Sequence, residues 1–128
     1  MAFILVFALV VIPLIRSSIL EEKRSDVQTA VDSVFHTISY YHDLVENGKM
    51  SKDDAQTNAK NIISKLRHHG ENYFWINNMK SEMVMHAVNP DLNGKDMSKF
   101  KDSNNVFLFN EMVAVSKKNG HGFVDYFW

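Results

Sequence analysis

The segment Glu71–His86 constrains the fold of this chain more than any other stretch of the sequence. In a strand with a period of two, positions 73, 75 and 77 share one face, and positions 74 and 76 share the other. The residues Asn77–Lys80 tolerate left-handed turn conformations, and Glu82–Val88 has the pattern of a returning strand. The segment therefore predicts a β-hairpin that carries aromatic rings on its first strand and a histidine near the end of its second.

One face of this hairpin is suited to a small binding site. Tyr73 and Trp75 each combine a large apolar body with a hydrogen-bonding tip, so together they can hold both the carbon skeleton and the polar end of a metabolite. His86 can donate a hydrogen bond to a carboxylate. The alternative is that these rings only fill the core, which is how we interpret Met83 and Met85 on the other face.

Helical periodicity dominates the chain before the hairpin. Apolar residues recur at spacings of three and four over Val27–Val45, which predicts one amphipathic helix from Ser17 to Glu46 that ends at Asn47-Gly48. At 1.5 Å per residue this helix would extend roughly 45 Å, longer than a small domain needs for its own core. Such a helix can join a membrane segment to the domain and pair with its copy in a dimer, or it can lie across its own sheet.

A second, shorter helix is predicted after this turn. Ser51 and Asp54 resemble a capping box with Asp in place of Glu, and apolar residues at helical spacing continue to Leu66. Gly70 is predicted to end the helix, with Arg67 and two histidines in its last turn. Cations at this end of a helix interact favourably with its dipole, which is a sufficient explanation for all three residues.

The C-terminal part of the chain predicts one more helix and one more strand. Ser103 is predicted to cap a helix that ends at Gly120. The alternation over Gly122–Trp128 predicts a strand, which adds Tyr126 to the candidate site. An alternating strand in a plain sheet would explain the same segment without any ligand.

The N-terminus is apolar. Residues 2–15 carry no charge, and Pro13 interrupts them before Arg16 ends the run. A helix needs about 20 residues to span a bilayer, so this run is short. It is either a membrane helix whose beginning is missing or a signal-peptide core that lacks a basic start and a cleavage site, and we favour the first. The predicted organisation is a partial transmembrane anchor over residues 1–16 and one domain over residues 17–128.

The composition excludes several classes of function. With 128 residues, 45% of them hydrophobic, the chain can bury one core. Its net charge of -1 gives no overall attraction to nucleic acid. The chain has no cysteine, which rules out disulfides and thiolate metal sites. The sequence also lacks the common phosphate-loop, nucleophile-elbow and metalloprotease motifs, so no enzyme activity, metal or cofactor is predicted.

Five ordered segments of the chain resemble the single Cache family, and the match runs from about Arg16 to Trp128. They are Tyr73–Asn77, Met83–His86, Leu92–Asp96, Phe100–Asp102 and Gly122–Trp128. The resemblance implies an α+β fold with a long N-terminal helix and a PAS-like antiparallel sheet that binds small organic ligands, often short carboxylates. The family pattern usually continues into further strands, so the resemblance also implies a sheet that is truncated at the C-terminus.

The resemblance, together with the residue types, assigns a candidate ligand site. The residues at its centre are Tyr73, Trp75, His86 and Tyr126. Arg67 and Asn89 are expected behind them. For Arg67 the resemblance supplies the reason, because family members often carry an Arg before the aromatic strand, where its planar fork could meet a ligand carboxylate. As a lone histidine, His86 would be a poor metal site.

The function that the resemblance implies is the extracytoplasmic sensor of a bacterial methyl-accepting chemotaxis protein, held in the inner membrane and facing the periplasm. Its expected partners are a short carboxylate, the membrane, and a second copy through the long helix. The alternatives are the sensor of a histidine kinase or cyclase, a membrane-anchored adaptor without a ligand, and a small membrane-bound hydrolase. Thermal stabilisation by a ligand would argue against the adaptor, and the absence of any product would argue against the hydrolase.

Overall fold

The structure is a computed structural model, and it describes residues 12–127. The chain divides after Ala55 into two compact units. A long helix forms most of the first unit. The second contains the β-strands and a small hydrophobic core.

The first helix, α1, runs over Ile12–Glu46 and is 35 residues long. It confirms the predicted long helix and begins five residues earlier than expected. Its end is a Schellman motif: Gly48 has φ 66°, the Gly48 N–H donates to the Val45 carbonyl at 2.9 Å, and the Lys49 N–H donates to the Leu44 carbonyl at 2.8 Å. The Asn-Gly pair therefore ends the helix, as its sequence predicts.

The predicted apolar stripe of α1 is largely exposed. Val34 is buried, whereas Val31 is 49% exposed and Phe35 is 64% exposed. Among the described residues, this face of α1 is therefore exposed apolar surface, which would be stabilised by removal from water.

The predicted membrane anchor over residues 1–16 lies mostly outside the described residues, and its last five residues form the start of α1. Among residues 12–127, no helix combines the length and the apolar character that crossing a bilayer requires.

The second helix, α2, runs over Lys52–Ile63. Its predicted cap is present: the Ser51 Oγ accepts the Asp54 N–H at 3.1 Å and donates to the Asp54 carboxylate at 2.6 Å. The prediction that α2 continues to Gly70 is wrong, because the helix ends at Ile63.

The residues expected in the last turn of α2 form a strand instead. Strand β1, Arg67–His68, pairs antiparallel with β2, Asn72–Tyr73. His69 and Gly70 between them have φ of 45° and 83°, and this left-handed pair reverses the chain. The basic residues therefore belong to a tight hairpin and not to a helix terminus.

The main predicted hairpin is confirmed with one change. Strand β3, Trp75–Asn77, pairs antiparallel with β4, Met83–His86, and a bulge lies between Ile76 and Asn77. The predicted first strand breaks at Phe74, because the residues before it pair with β1. In the turn, the Asn78 Oδ1 accepts the N–H groups of Lys80 and Glu82 at 2.8 and 3.0 Å.

The core of the second unit lies between this hairpin and a third helix, α3, over Leu108–Asn119. Its buried members are Met83, Met97, Leu108 and Phe109. Half-buried side chains pack around them, among them Trp75, Leu92, Phe100, Met112, Val124 and Tyr126. Met83 is 1% exposed and Met85 is 5% exposed, which confirms that both methionines are packing residues.

The predicted end of α3 is confirmed and its predicted start is wrong. Gly120, with φ 79°, follows the last helical residue. At the start, Phe107 occupies the capping position without a side-chain hydrogen bond, and Ser103 lies outside the helix. The helix begins later than predicted because residues 102–106 form a turn of their own around Asp102.

The predicted C-terminal strand does not pair with any strand among residues 12–127. Its alternation is nevertheless visible in the burial, since Val124 and Tyr126 are half-buried while Phe123, Asp125 and Phe127 are exposed. An extended segment becomes a strand only when a neighbouring strand takes up its backbone hydrogen bonds.

Candidate functional site

Four of the predicted site residues lie together and form what we call the aromatic cluster: Tyr73, Trp75, His86 and Tyr126. The ring centroids of Tyr73 and His86 are 5.0 Å apart. Trp75 and His86 lie opposite each other on β3 and β4 with nearly parallel rings, 10° between planes and 6.3 Å between centroids. Tyr126 meets Trp75 edge to face at 6.2 Å. Three strands and the C-terminal segment therefore converge on one place.

His86 is the most enclosed member of the aromatic cluster. Its side chain is buried, and the backbone N–H groups of Asn89 and Val88 donate to its Nδ1 at 2.9 and 3.3 Å. Its own backbone N–H donates to the Asn93 Oδ1 at 2.8 Å. Burial lowers the pKa of the imidazole below its ordinary value, so the ring is neutral at pH 7.

Tyr126 is held in its protonated form. Burial raises the pKa of its phenol, and the nearby Tyr73, which would carry a like charge, raises it further. At neutral pH the hydroxyl of Tyr126 can therefore donate a hydrogen bond to an acceptor.

The remaining two predicted residues take other positions. The Arg67 Nη1 donates to the backbone carbonyls of Ser64 and Leu66 at 2.9 and 2.8 Å, just after α2 ends. Asn89 is exposed, and its backbone N–H, not its side chain, is what touches His86.

Asp102, the last residue of the segment Phe100–Asp102, has a structural role that the sequence does not predict. Its Oδ1 accepts the N–H groups of Asn104 and Val106, both at 2.9 Å, and its Oδ2 accepts the Phe127 N–H at 3.0 Å. The hydrogen bond from Phe127 is the main cause of a lowered pKa of this carboxyl group, and the bonds from Val106 and Asn104 lower the pKa further. Asp102 therefore fixes the backbone beside Tyr126 to the loop before α3. The only signal in the sequence is the residue type, because Asp commonly accepts nearby backbone N–H groups in turns.

The described residues also form a groove on the surface of α1. It has a volume of about 330 Å³ and is lined by Ile12, Ile15, Arg16, Ile19, Leu20 and Lys23 of α1. Because one helix forms all of its walls, it is a feature of that helix surface and not an enclosed site.

The aromatic cluster offers neutral hydrogen-bond donors beside apolar ring surfaces. Tyr, Trp and neutral His all carry a donor on a large ring. Within residues 12–127, no group of three or more His, Cys, Asp or Glu side chains is arranged to hold a metal ion. The cluster is therefore suited to a small molecule with an apolar part and hydrogen-bond acceptors.

A family model described as a Cache domain matches residues 8–128. The chain belongs to the Cache domain family. This confirms the resemblance that the five sequence segments predicted, and with it the α+β fold. A curated relative, the methyl-accepting chemotaxis protein McpP of Pseudomonas putida, is 32% identical over 127 residues. The match covers 99% of this chain and 23% of McpP, so the Cache chain spans about a quarter of that receptor.

Solved structures agree with this assignment. The Cache chain is 36% identical to a periplasmic sensor domain of a chemotaxis protein, with a TM-score of 0.83 over 85% of this chain and 76% of that one. A Cache chemosensory domain studied for carboxylic acid recognition has the same identity and TM-score, over 88% and 76% of the two chains. A methyl-accepting chemotaxis protein of Vibrio parahaemolyticus, at 22% identity and a TM-score of 0.70 over 88% and 72%, shares the fold.

Proposed function

We propose that this Cache domain is the extracytoplasmic sensor region of a bacterial chemoreceptor and that it binds a small organic acid at the aromatic cluster. The observation that carries the proposal is the convergence of Tyr73, Trp75, His86 and Tyr126 from four separate segments of the chain. A core would need their apolar bodies only. The four rings, gathered in one place, also carry hydrogen-bond donors, and a ligand with acceptor oxygens requires such donors.

A short carboxylate is the ligand that this chemistry favours. Its oxygens accept hydrogen bonds from neutral donors such as the phenols and the imidazole, and charge-assisted bonds of this kind are the stronger ones. The ring faces would hold the short carbon chain. Arg67 and Asn89 belong to the proposal as residues behind the cluster, and Arg67 would supply a positive charge if its side chain turned from its present carbonyl partners.

The relatives support the place and the role. One is a periplasmic sensor domain of a chemotaxis protein, and another is studied for carboxylic acid recognition. We therefore place the aromatic cluster on the periplasmic side of the inner membrane, with an anchor that includes the apolar N-terminus. Ligand binding would favour one of two conformations of the sensor, and the difference in affinity between them would be the signal. The domain senses and has no catalytic role in this proposal.

The exposed apolar face of α1 supports a homodimer. Phe35 and Val31 lie on this face, and a second copy of the same helix would remove both from water. Phe35→Glu would place a charge in that interface, so we expect the chain to become monomeric in sedimentation equilibrium. His36→Glu on the same exposed helix is the matched control and should leave the mass unchanged. A wild-type chain that is monomeric at all concentrations would contradict the dimer.

A thermal-shift series with the full chain tests ligand binding. Acetate, propionate, pyruvate and lactate are titrated, and stabilisation should approach about 2.7 kcal/mol at 100 times the dissociation constant. His86→Ala should abolish the shift, whereas His36→Ala on the exposed α1 surface should preserve it. A folded wild-type chain that none of these acids stabilises would refute the carboxylate proposal.

A further inference from the structure

The two nitrogens of the His86 ring have different surroundings, and this determines where its proton lies. The backbone N–H groups of Asn89 and Val88 both point at Nδ1, at 2.9 and 3.3 Å. A ring nitrogen that accepts a hydrogen bond carries no proton. In the neutral ring the proton is therefore on Nε2, and Nε2 is a donor.

The backbone after β4 makes this arrangement rigid. The Asn93 Oδ1 accepts the His86 N–H at 2.8 Å, which ties the end of the strand to the loop. Asn89 precedes the 3-10 turn Pro90–Leu92, and a following proline restricts its backbone, which has φ -124° and ψ 83°. The direction of the Asn89 N–H is thus set by the turn. Moving the proton to Nδ1 would set a ring N–H against the backbone N–H groups of Val88 and Asn89 and remove the acceptor of both.

We propose that the Val88-Asn89 turn locks His86 in the Nε2–H tautomer, so that His86 meets its ligand as a neutral donor selective for an acceptor atom such as a carboxylate oxygen. The claim about the ligand contact rests on the proposed function, whereas the tautomer is a property of the unliganded chain. Asn89 thereby acts as a positioning residue through its backbone, with its side chain in solvent.

The tautomer is measured directly. Long-range proton–nitrogen correlation spectra of the 15N-labelled full chain at pH 8 distinguish a protonated ring nitrogen from a bare one. The His86 signals are identified as those missing from His86→Asn. We expect a bare Nδ1 and a protonated Nε2 without any ligand. The opposite tautomer, or a mixture of the two, would contradict the proposal that the turn fixes His86 in the Nε2–H tautomer.

Two substitutions separate the roles of the two nitrogens. In His86→Asn the amide oxygen lies near the position of Nδ1 and can still accept the turn N–H groups, but nothing reaches the position of Nε2. In His86→Gln the amide reaches the position of Nε2 and can donate there, while the Nδ1 acceptor is lost. Hydrogen exchange of the Val88 and Asn89 amides should be nearly unchanged in the first variant and faster in the second.

The proposed contact between Nε2 and the ligand is tested with propionate, whose affinity is measured by calorimetry. Losing a hydrogen bond to a charged ligand should weaken binding about tenfold to a hundredfold in His86→Asn, with a smaller loss in His86→Gln. Propionamide should bind the wild type more weakly than propionate. Equal losses in the two variants would overturn the donor role of Nε2. If the wild type binds no acid, the proposed function fails. The spectrum of the unliganded chain then tests the Nε2–H tautomer of His86 on its own.

Discussion

Helix α1 and the second unit differ in the interactions that stabilise each of them. Helix α1 follows a 3.6-residue pattern over 35 residues, and most of its apolar side chains are exposed. Among the described residues, the second unit has short strands, a 3-10 turn and one 12-residue helix after α2, yet it buries Leu108 and Phe109 completely. Side chains of Asn78, Asn93 and Asp102 bind its backbone where ladders are missing. A long helix can thus form from local periodicity without burying a core, whereas a unit of short, irregular elements depends on specific side-chain contacts.

The largest expected effect is on the core of the second unit. Phe109→Ala removes a fully buried ring that meets Trp75 at 6.3 Å and Phe100 at 5.7 Å. The loss of packing and the resulting cavity should lower the free energy of unfolding by about 3–5 kcal/mol in urea titration. Phe123→Ala, at an exposed ring in the same unit, is the matched control. Similar losses for both would show that the described core does not carry the stability.

A smaller effect is expected where the C-terminal segment packs on α3. A Cβ at Gly122 would overlap the side chain of Val115. Gly122→Ala should therefore displace the segment that carries Tyr126, cost about 1–3 kcal/mol and weaken propionate binding. The double variant Gly122→Ala/Val115→Ala provides the space and should recover the binding. If the double variant is as weak as the single one, the contact does not position Tyr126.

The pH dependence of stability distinguishes the two buried titratable groups of the second unit. The pKa of His86 is lowered from 6.5, so its stabilising contribution is complete above pH 6.5 and is lost as the pH falls towards the folded value. The pKa of Asp102 is lowered from 3.8, so its contribution is complete above that pH and is lost in stronger acid. Unfolding free energies should fall in two steps. His86→Asn should remove the first step, and Asp102→Asn should reduce the second.

The smallest effect on the folding of one protomer is expected on α1. Phe35 is 64% exposed, so Phe35→Ala should change the free energy of unfolding by less than about 0.5 kcal/mol at protein concentrations where the chain is monomeric. Urea titration at two concentrations checks this. A loss comparable with that of Phe109→Ala in the monomer would show that this face is covered within the chain, and the contrast between the two units would disappear.

Much of the local structure could be predicted from the sequence. Asn47-Gly48 ended α1 where expected, Ser51 capped α2 through Asp54, and Met83 and Met85 were buried. Each of these depends on residues a few positions apart, so the pattern carries the information. The failure at Arg67 has the opposite cause. Arg67 left the predicted helix because a neighbouring strand competed for its backbone.

The candidate site divides in the same way. Tyr73, Trp75 and His86 could be grouped from strand alternation and confirmed as neighbours. Asp102 could not be found, because its decisive partner is Phe127, a residue 25 positions along the chain. The role of Asn89 was also missed, since a backbone N–H has no sequence signature.

The sequence by itself determined the long helix and its end, the cap of α2, the hairpin and the rings that one strand face presents, because these follow from backbone sterics and side-chain periodicity over short distances. Only the tertiary structure decided that Tyr126 meets Trp75, that Asp102 holds the C-terminal segment, and that the ring of His86 turns its Nδ1 to the backbone. These contacts join segments whose spacing along the chain is unrelated to their distance in space, and the packing of the core brings them together.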